Sequence, residues 1–272
     1  MQVSKRLFSL ETESAFAILE KAKKLELEGK DIINLGIGQP DFPTPQNILE
    51  AAKKAITDGH HGYTPSNGIL PLREAVSKKI YEDYNTSVSP DNILITPGGK
   101  PVIFFAALIF GEPGVEIIYP DPGFPIYRSM IKYSGATPIP LELKEKDNFE
   151  VNIELLEKLI TNKTRLIILN NPNNPTGKVY SLEELSYLYQ LAKKYKLYVL
   201  SDEAYSDFVI DQNEFISFAN LDTEKKHTIV INSISKNFGI SGWRLGYVIT
   251  NPNLISELLK INQHLITCPP TI

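Results

Sequence analysis

Residues Thr228–Thr250 read T-I-V-I-N-S-I-S-K-N-F-G-I-S-G-W-R-L-G-Y-V-I-T. Two short apolar runs, Thr228–Ile231 and Leu245–Thr250, read as buried strands. The segment they bracket, Ile231–Tyr247, holds one lysine, three serines, three glycines and one arginine. It presents Lys236 in a polar, Gly-rich turn. A lysine in such a loop is most often an ordinary surface residue. The sharper alternative is an amine held among hydroxyls and an arginine. A nearby cation and partial burial lower its pKa, which suits a covalent bond to an aldehyde beside a phosphate.

The rest of the chain decides what surrounds that turn. Working back from it, strand-length apolar runs fall at Leu197–Ser201, Arg165–Asn170, Thr137–Leu141, Val115–Tyr119 and Ile93–Thr96. Helical stretches separate them: Leu182–Tyr195, Ile153–Ile160, a segment ending at Tyr133, and Val102–Phe110. Repeated strand–turn–helix units predict a doubly wound α/β domain of three layers, α/β/α, with a mostly parallel sheet. Right-handed crossovers then bring the turns after the strands to one edge, where such sheets bind ligands. Upstream, the pattern predicts a helix over Glu13–Glu28 stopped by Gly29, a short strand Ile32–Leu35 and helices Gln46–Thr57 and Leu70–Tyr84. Between them lie an extended G-I-G-Q-P-D-F-P-T-P segment (Gly36–Pro45) and the loop G-Y-T-P-S-N-G (Gly62–Gly68).

Composition narrows the function classes. The chain has 272 residues, 42% hydrophobic and 22% charged, with net charge −4. That is ordinary globular composition, with no electrostatic reason to expect nucleic acid or an anionic membrane surface as partner. One cysteine, Cys268, excludes an internal disulfide and a cysteine-rich metal site, and suits a reducing cytosol. The four histidines show no ligand spacing, and neither H-E-x-x-H nor G-x-S-x-G occurs. The longest apolar run, Val102–Phe110, is too short to span a bilayer, and the N-terminus has no signal-peptide core. A cytoplasmic protein without metal is expected.

The turns after the strands then supply the candidates. The Gly98-Gly99-Lys100 turn opens a helix, where glycines admit a ligand to the backbone and free amides bind anions, although a plain tight turn reads the same way. Asp202 ends a strand, as a helix cap, a surface charge, or a carboxylate paired with a protonated ring nitrogen. Tyr205 follows three residues later as a hydroxyl donor. Asn174 sits in a turn stiffened by Pro172 and Pro175. Ser233, Ser235 and Arg244 flank Lys236, and a guanidinium with hydroxyls suits a phosphate. Phe124, in D-P-G-F-P, is a core aromatic or a flat face for a ring. Together these are what pyridoxal phosphate requires of a protein.

Several motifs in order carry a closer likeness: G-I-G-Q-P-D-F-P-T-P, G-Y-T-P-S-N-G-I-L-P-L-R, N-N-P-N-N-P-T-G, S-D-E-A-Y and S-I-S-K-N-F-G-I-S-G-W-R-L-G. Through them nearly the whole chain resembles the class I/II, aspartate-aminotransferase-like enzymes of pyridoxal-phosphate fold type I. The resemblance implies an enzyme that moves an amino group from an L-amino acid to a 2-oxo acid, ping-pong, through pyridoxamine phosphate. Aspartate or a broad range of donors is expected. It implies that Lys236 forms the Schiff base and moves the proton, and that Asp202 pairs with the pyridinium nitrogen. Tyr205 and Asn174 would hold the phenolate oxygen, and Phe124 the ring face. Gly99, Lys100, Ser233, Ser235 and Arg244 would hold the phosphate. Gly38, with Asn174, would lie by the substrate, and Tyr63 would reach the phosphate of a second subunit in a homodimer. It also implies a division into 1–45, an N-terminal arm with part of a small domain, and 46–272, the large cofactor-binding domain.

Relatives in that family continue past the final T-C-P-P-T-I. The chain is therefore expected to lack most of the small domain and the arginine that grips the substrate α-carboxylate. Residues 1–272 alone are expected to be poorly soluble or to form an unstable dimer. The alternatives are a carbon–sulfur lyase of the same fold and a truncated, non-catalytic cofactor-binding remnant.

Overall fold

The computed structural model describes residues 3–10, 14–210 and 214–272. Its strands are β1 (Ile93–Thr96), β2 (Glu116–Asp121), β3 (Thr137–Glu142), β4 (Thr164–Asn170), β5 (Tyr198–Asp202), β6 (Thr228–Ser233) and β7 (Gly246–Ile249). They form one sheet of seven strands in the order β1-β7-β6-β5-β4-β2-β3. Strands β3, β2, β4, β5 and β6 pair in parallel. Only β7 runs antiparallel to its neighbours β6 and β1. The α/β class and the mostly parallel sheet expected from sequence are those observed.

The helices are α1 (Ser14–Leu27), α2 (Gln46–Thr57), α3 (Leu70–Tyr84), α4 (Lys100–Phe110), α5 (Ile126–Ser134), α6 (Ile153–Leu159), α7 (Leu182–Tyr195), α8 (Ile234–Asn237) and α9 (Pro252–Leu265). Strand side chains alternate between two cores, as a period of two requires. Ile93, Ile95, Ile167, Leu169, Val199 and Val230 face Val76 and Ile80 of α3, Leu156 of α6 and Leu185 and Leu188 of α7. Leu94, Leu166, Ile168, Leu200, Ile229 and Ile231 face Val102 and Phe105 of α4, Ile131 of α5 and Leu258 of α9. Covering both faces explains why the strands read as continuous apolar runs. Each such side chain contributes roughly 1.5–3 kcal/mol by leaving water.

Local chemistry sets the helix ends. Ser181 and Glu184 form a reciprocal capping box that starts α7. Asn251 caps α9 by accepting from the Leu254 amide, with Pro252 at the first helical position. Gly135, at φ 93°, ends α5 in the left-handed conformation.

Some local expectations differ from the structure. Ile32–Leu35 is not a strand; Ile33 and Leu35 are 86% and 90% exposed. A strand needs a neighbour to take its backbone hydrogen bonds, and no described strand lies beside this segment. Lys236 lies in the one-turn helix α8 rather than an open loop. The sequence reading assigned nothing to α9. Helix α1 is described from Ser14; its expected first residue, Glu13, lies outside the described residues.

After β2 the chain steps outward to β3 and then returns to the other side of β2 as β4. The carboxyl ends of β2 and β4 therefore flank a crevice, the usual ligand position in open α/β sheets.

Candidate active site

Register aligns the strand ends that carry the candidates. Asn170 of β4 lies opposite Asp202 of β5, and Asp202 opposite Ile231 of β6. Asp202 is 7% exposed. Its Oδ2 accepts a hydrogen bond from the Tyr127 hydroxyl at 2.8 Å, and its Oδ1 one from the Ala204 amide at 3.3 Å. Burial pushes the Asp202 carboxyl above its ordinary range, against these two hydrogen bonds. None of the ion pairs among the described residues includes Asp202. A buried carboxylate without a cation is costly, so this one suits a protonated ring nitrogen.

Tyr127 was not among the residues chosen from sequence. It lies in the first turn of α5, fully buried, and burial together with the Asp202 charge pushes its hydroxyl well up, so it remains a donor. Its one sequence signal was its place three residues after Phe124. The two rings meet edge-to-face, centroids 5.8 Å apart at 89°. The Lys100 ammonium lies 5.6 Å from the Phe124 centroid.

The turn after β4 is held onto β5 by Asn170, a second residue the sequence reading missed. Its amide donates to the Asp202 carbonyl at 2.9 Å, and its Oδ1 accepts from the Asn174 amide at 2.6 Å. Asn174 thereby meets Tyr205, whose hydroxyl it hydrogen-bonds. Burial and then the Asp202 charge push the Tyr205 pKa up, with Asn174 opposing. Both residues line a cleft of about 530 Å³ with Pro172, Phe208 and Ile210.

Around Lys236 the backbone is crowded. Ser233 caps α8 by accepting from the Ser235 amide at 3.3 Å. A Cβ on Gly98, which has φ +88°, would sit 2.4 Å from Arg244 Nη2. One on Gly99 would lie 2.9 Å from Ile231 Cγ2, and one on Gly246 2.7 Å from the Gly98 carbonyl carbon. The Gly98–Lys100 turn, Arg244 and the lysine turn thus converge. Arg244 is itself exposed, its guanidinium donating to the Ser241 carbonyl at 2.9 Å and the Pro97 carbonyl at 3.4 Å. Burial, and then Arg244, push the Lys236 amine below its ordinary value.

The N-terminal arm reaches the same place. Lys236 Nζ donates to the Gly38 carbonyl, and Thr44 Oγ1 donates to the Gly239 carbonyl at 2.9 Å. Phe42 packs against Gly239. Tyr63 is different. It is 91% exposed, in a shallow groove with Pro97 and Ile266.

These groups fit pyridoxal phosphate. The Ser235 hydroxyl is buried without a hydrogen-bond partner. Ser235 directly precedes Lys236, whose amine has a lowered pKa. A buried carboxylate lies on the neighbouring strand. A family model described as "Aminotransferase class I and II" matches residues 30–272. The chain belongs to the class I and II aminotransferases. It is 36% identical over 273 residues to the aspartate aminotransferase of Geobacillus stearothermophilus, covering 100% of this chain and 70% of that one. It is 38% identical over 270 residues to the (5-formylfuran-3-yl)methyl phosphate transaminase of Methanocaldococcus jannaschii, covering 99% and 70%. Among solved structures, Thermus thermophilus aspartate aminotransferase with maleate superposes with a TM-score of 0.95 at 32% identity, covering 100% of this chain and 70% of that one. As a member of this family the chain is a pyridoxal-phosphate-dependent aminotransferase, acting between amino acids and 2-oxo acids.

Proposed function

We propose that Lys236 is the covalent anchor for the cofactor aldehyde and the base that carries the proton during amino transfer. Bound there, pyridoxal phosphate supplies an electron sink for the substrate carbon that bears the amine. Asp202 holds the proton of the ring nitrogen in place as its counter-charge. Tyr205 and Asn174 direct their hydrogen bonds at the phenolate oxygen, and Phe124 covers one ring face. The amides of Gly99 and Lys100, the hydroxyls of Ser233 and Ser235, and Arg244 take the phosphate. Gly38 and Asn174 border the substrate. The observation that carries this reading is a buried carboxylate, Asp202, at the end of β5, beside the strand β6 that leads into α8 and Lys236, an amine of lowered pKa.

Lys236 is suited to two tasks. Its lowered pKa leaves more free amine for attack on an aldehyde, and once displaced by the substrate amine it is a base within the same site. Aspartate, within a broad donor range, is the proposed substrate. Relatives named as aspartate aminotransferases and a structural neighbour solved with maleate, a dicarboxylate, support it.

The proposed division is an arm of 1–45 that includes part of a small domain, and a cofactor-binding domain of 46–272. A homodimer is the proposed assembly, with Tyr63 reaching the second subunit's phosphate. Its support is a set of exposed apolar side chains on and near the arm: Leu27 90%, Ile33 86%, Leu35 90% and Tyr63 91% exposed. A cytoplasmic location is proposed because the lone cysteine needs no oxidising compartment.

The test uses the full-length protein with pyridoxal phosphate. Single amino donors are screened without acceptor, and release of the matching 2-oxo acid is measured beside borohydride trapping of the cofactor. The expected result is one cofactor linked at Lys236 when borohydride is added before the donor, and one equivalent of 2-oxo acid with no such link when the donor is added first. A link that persists at the same peptide in Lys236→Ala overturns the assignment. Release of ammonia with pyruvate points instead to a lyase.

A further inference from the structure

We propose that Asp207 and Asn237 form a latch that sets the position of Tyr205 relative to Lys236, as positioning residues that touch neither substrate nor cofactor. This rests on the roles of Tyr205 and Lys236 proposed above. Tyr205 leads into the short 3-10 turn Ser206–Phe208, and Lys236 lies in α8, directly before Asn237. The turns come from different strands, β5 and β6, and they are bonded to each other at two levels. Nearer the surface, Asn237 Nδ2 donates to Asp207 Oδ2 at 2.5 Å. Deeper, Asn232 Nδ2 donates to Ser206 Oγ at 3.3 Å, with both residues buried.

The outer bond is the one that fixes the amide. Asn237 Oδ1 is buried and has no hydrogen-bond partner. Turning the amide over would set that oxygen against the Asp207 carboxylate, so charge alone fixes which end faces Asp207. The Asp207 charge is also felt on α3. Its charge is among those that raise the Lys79 pKa, and Lys79 pairs with Asp83 at 2.6 Å. Ser206 acts to lower the pKa of Tyr84, also on α3, against the effect of burial. Burial and Arg244 are what lower the Lys236 amine, and Asp207 is not among its charged neighbours. The latch therefore works through position.

Position matters because the two side chains would address substituents on neighbouring carbons of one ring. Lys236 would bond the aldehyde carbon, and Tyr205 would donate to the phenolate oxygen on the next ring carbon. Sites of this kind depend on partners that lock each group within roughly 0.5 Å.

The experiment uses the full-length holoenzyme carrying Asp207→Ala, Asn237→Ala, the double variant and Asp207→Asn, which keeps an acceptor for Asn237. Three quantities are read: kcat and KM for the amino donor, the pH midpoint of the visible absorbance of the lysine-linked cofactor, and the melting temperature. Expected for each alanine variant is a kcat lower by about tenfold, less than the ~100-fold a 1 Å misplacement can cost, with KM within about twofold. The absorbance midpoint shifts, the double variant is no worse than either single, and Asp207→Asn is close to wild type. An unchanged midpoint and kcat overturn the latch, as do additive losses in the double variant or an Asp207→Asn as impaired as Asp207→Ala. Should Asp207→Ala melt too low to assay, Asn237→Ala against Asp207→Asn decides on the same readouts. If Lys236→Ala still carries the reducible link, the site reading fails, separately from the latch.

Discussion

Replacing Tyr127 by Phe removes one hydroxyl from a fully buried ring and leaves the ring in place. That hydroxyl donates to Asp202 Oδ2 at 2.8 Å. The only other hydrogen bond to the carboxylate among the described residues comes from the Ala204 amide at 3.3 Å. A hydrogen bond to a charged group is worth about 1.5–3 kcal/mol. Burial already pushes the Asp202 carboxyl up, and the Tyr127 bond opposes that push. Its loss therefore moves the carboxyl further up, and the ionised form survives only at higher pH. In the proposed site, ionised Asp202 is the counter-charge of the ring nitrogen. In Tyr127→Phe the acid limb of kcat/KM should move to higher pH, and kcat/KM below neutrality should fall roughly tenfold to a hundredfold. The assay is a pH–rate profile of the full-length holoenzyme, with urea unfolding of the same preparation. A profile superimposable on wild type in a folded variant would refute the coupling of Tyr127 to Asp202. Lowered stability with an unchanged profile would reduce Tyr127 to a packing residue.

Glu203 is 1% exposed and accepts from Ser201 Oγ at 2.9 Å, Ser217 Oγ at 2.7 Å and the Phe218 amide at 2.8 Å. Burial still lifts its carboxyl from 4.5 to about 7. The folded state keeps a proton that the unfolded state releases across that window, so this group's contribution falls as pH rises through it, by up to about 1.4 kcal/mol per unit. Glu203→Gln should flatten stability against pH between these values; equal slopes in urea titrations count against it. Gly246→Ala would place a Cβ 2.7 Å from the Gly98 carbonyl carbon and 2.9 Å from the Gly99 amide nitrogen, forcing β7 away from the phosphate turn. Overpacking of this kind costs about 1–3 kcal/mol, so pyridoxal phosphate should bind at least about fivefold more weakly; a Kd within about twofold of wild type would contradict it. Ser181→Ala breaks the capping box of α7, so the melting temperature should drop by the equivalent of about 1 kcal/mol with kcat unchanged; a change in kcat would tie α7 to the site.

Parts of the structure follow from local rules and were legible in the residues. The strands β2, β4, β5 and β6 are apolar runs because both sheet faces are covered, and helices α2, α3 and α7 match their predicted spans in full. Turn residues such as Asn174, Asp202 and Lys236 stood out because crossover topology collects turns at one edge. Ile32–Leu35 shows the limit. Its composition suits a strand, but strands form in pairs and this chain offers it no neighbour among the described residues.

By itself the sequence determined the α/β class, the family and the residue types around Lys236, since periodicity, turn chemistry and ordered motifs are local properties. Only the tertiary structure decided which distant groups meet. Tyr127 and Asp202 lie 75 positions apart, Thr44 and Gly239 195 apart, and Asp207 and Asn237 30 apart. Nothing in the spacing along the chain encodes those encounters. They depend on the order of strands in the sheet and on the register that brings β4, β5 and β6 to a common end. That is why Lys236, Asp202 and Arg244 were visible in advance, while Tyr127 and Asn170, which bond to Asp202, were not.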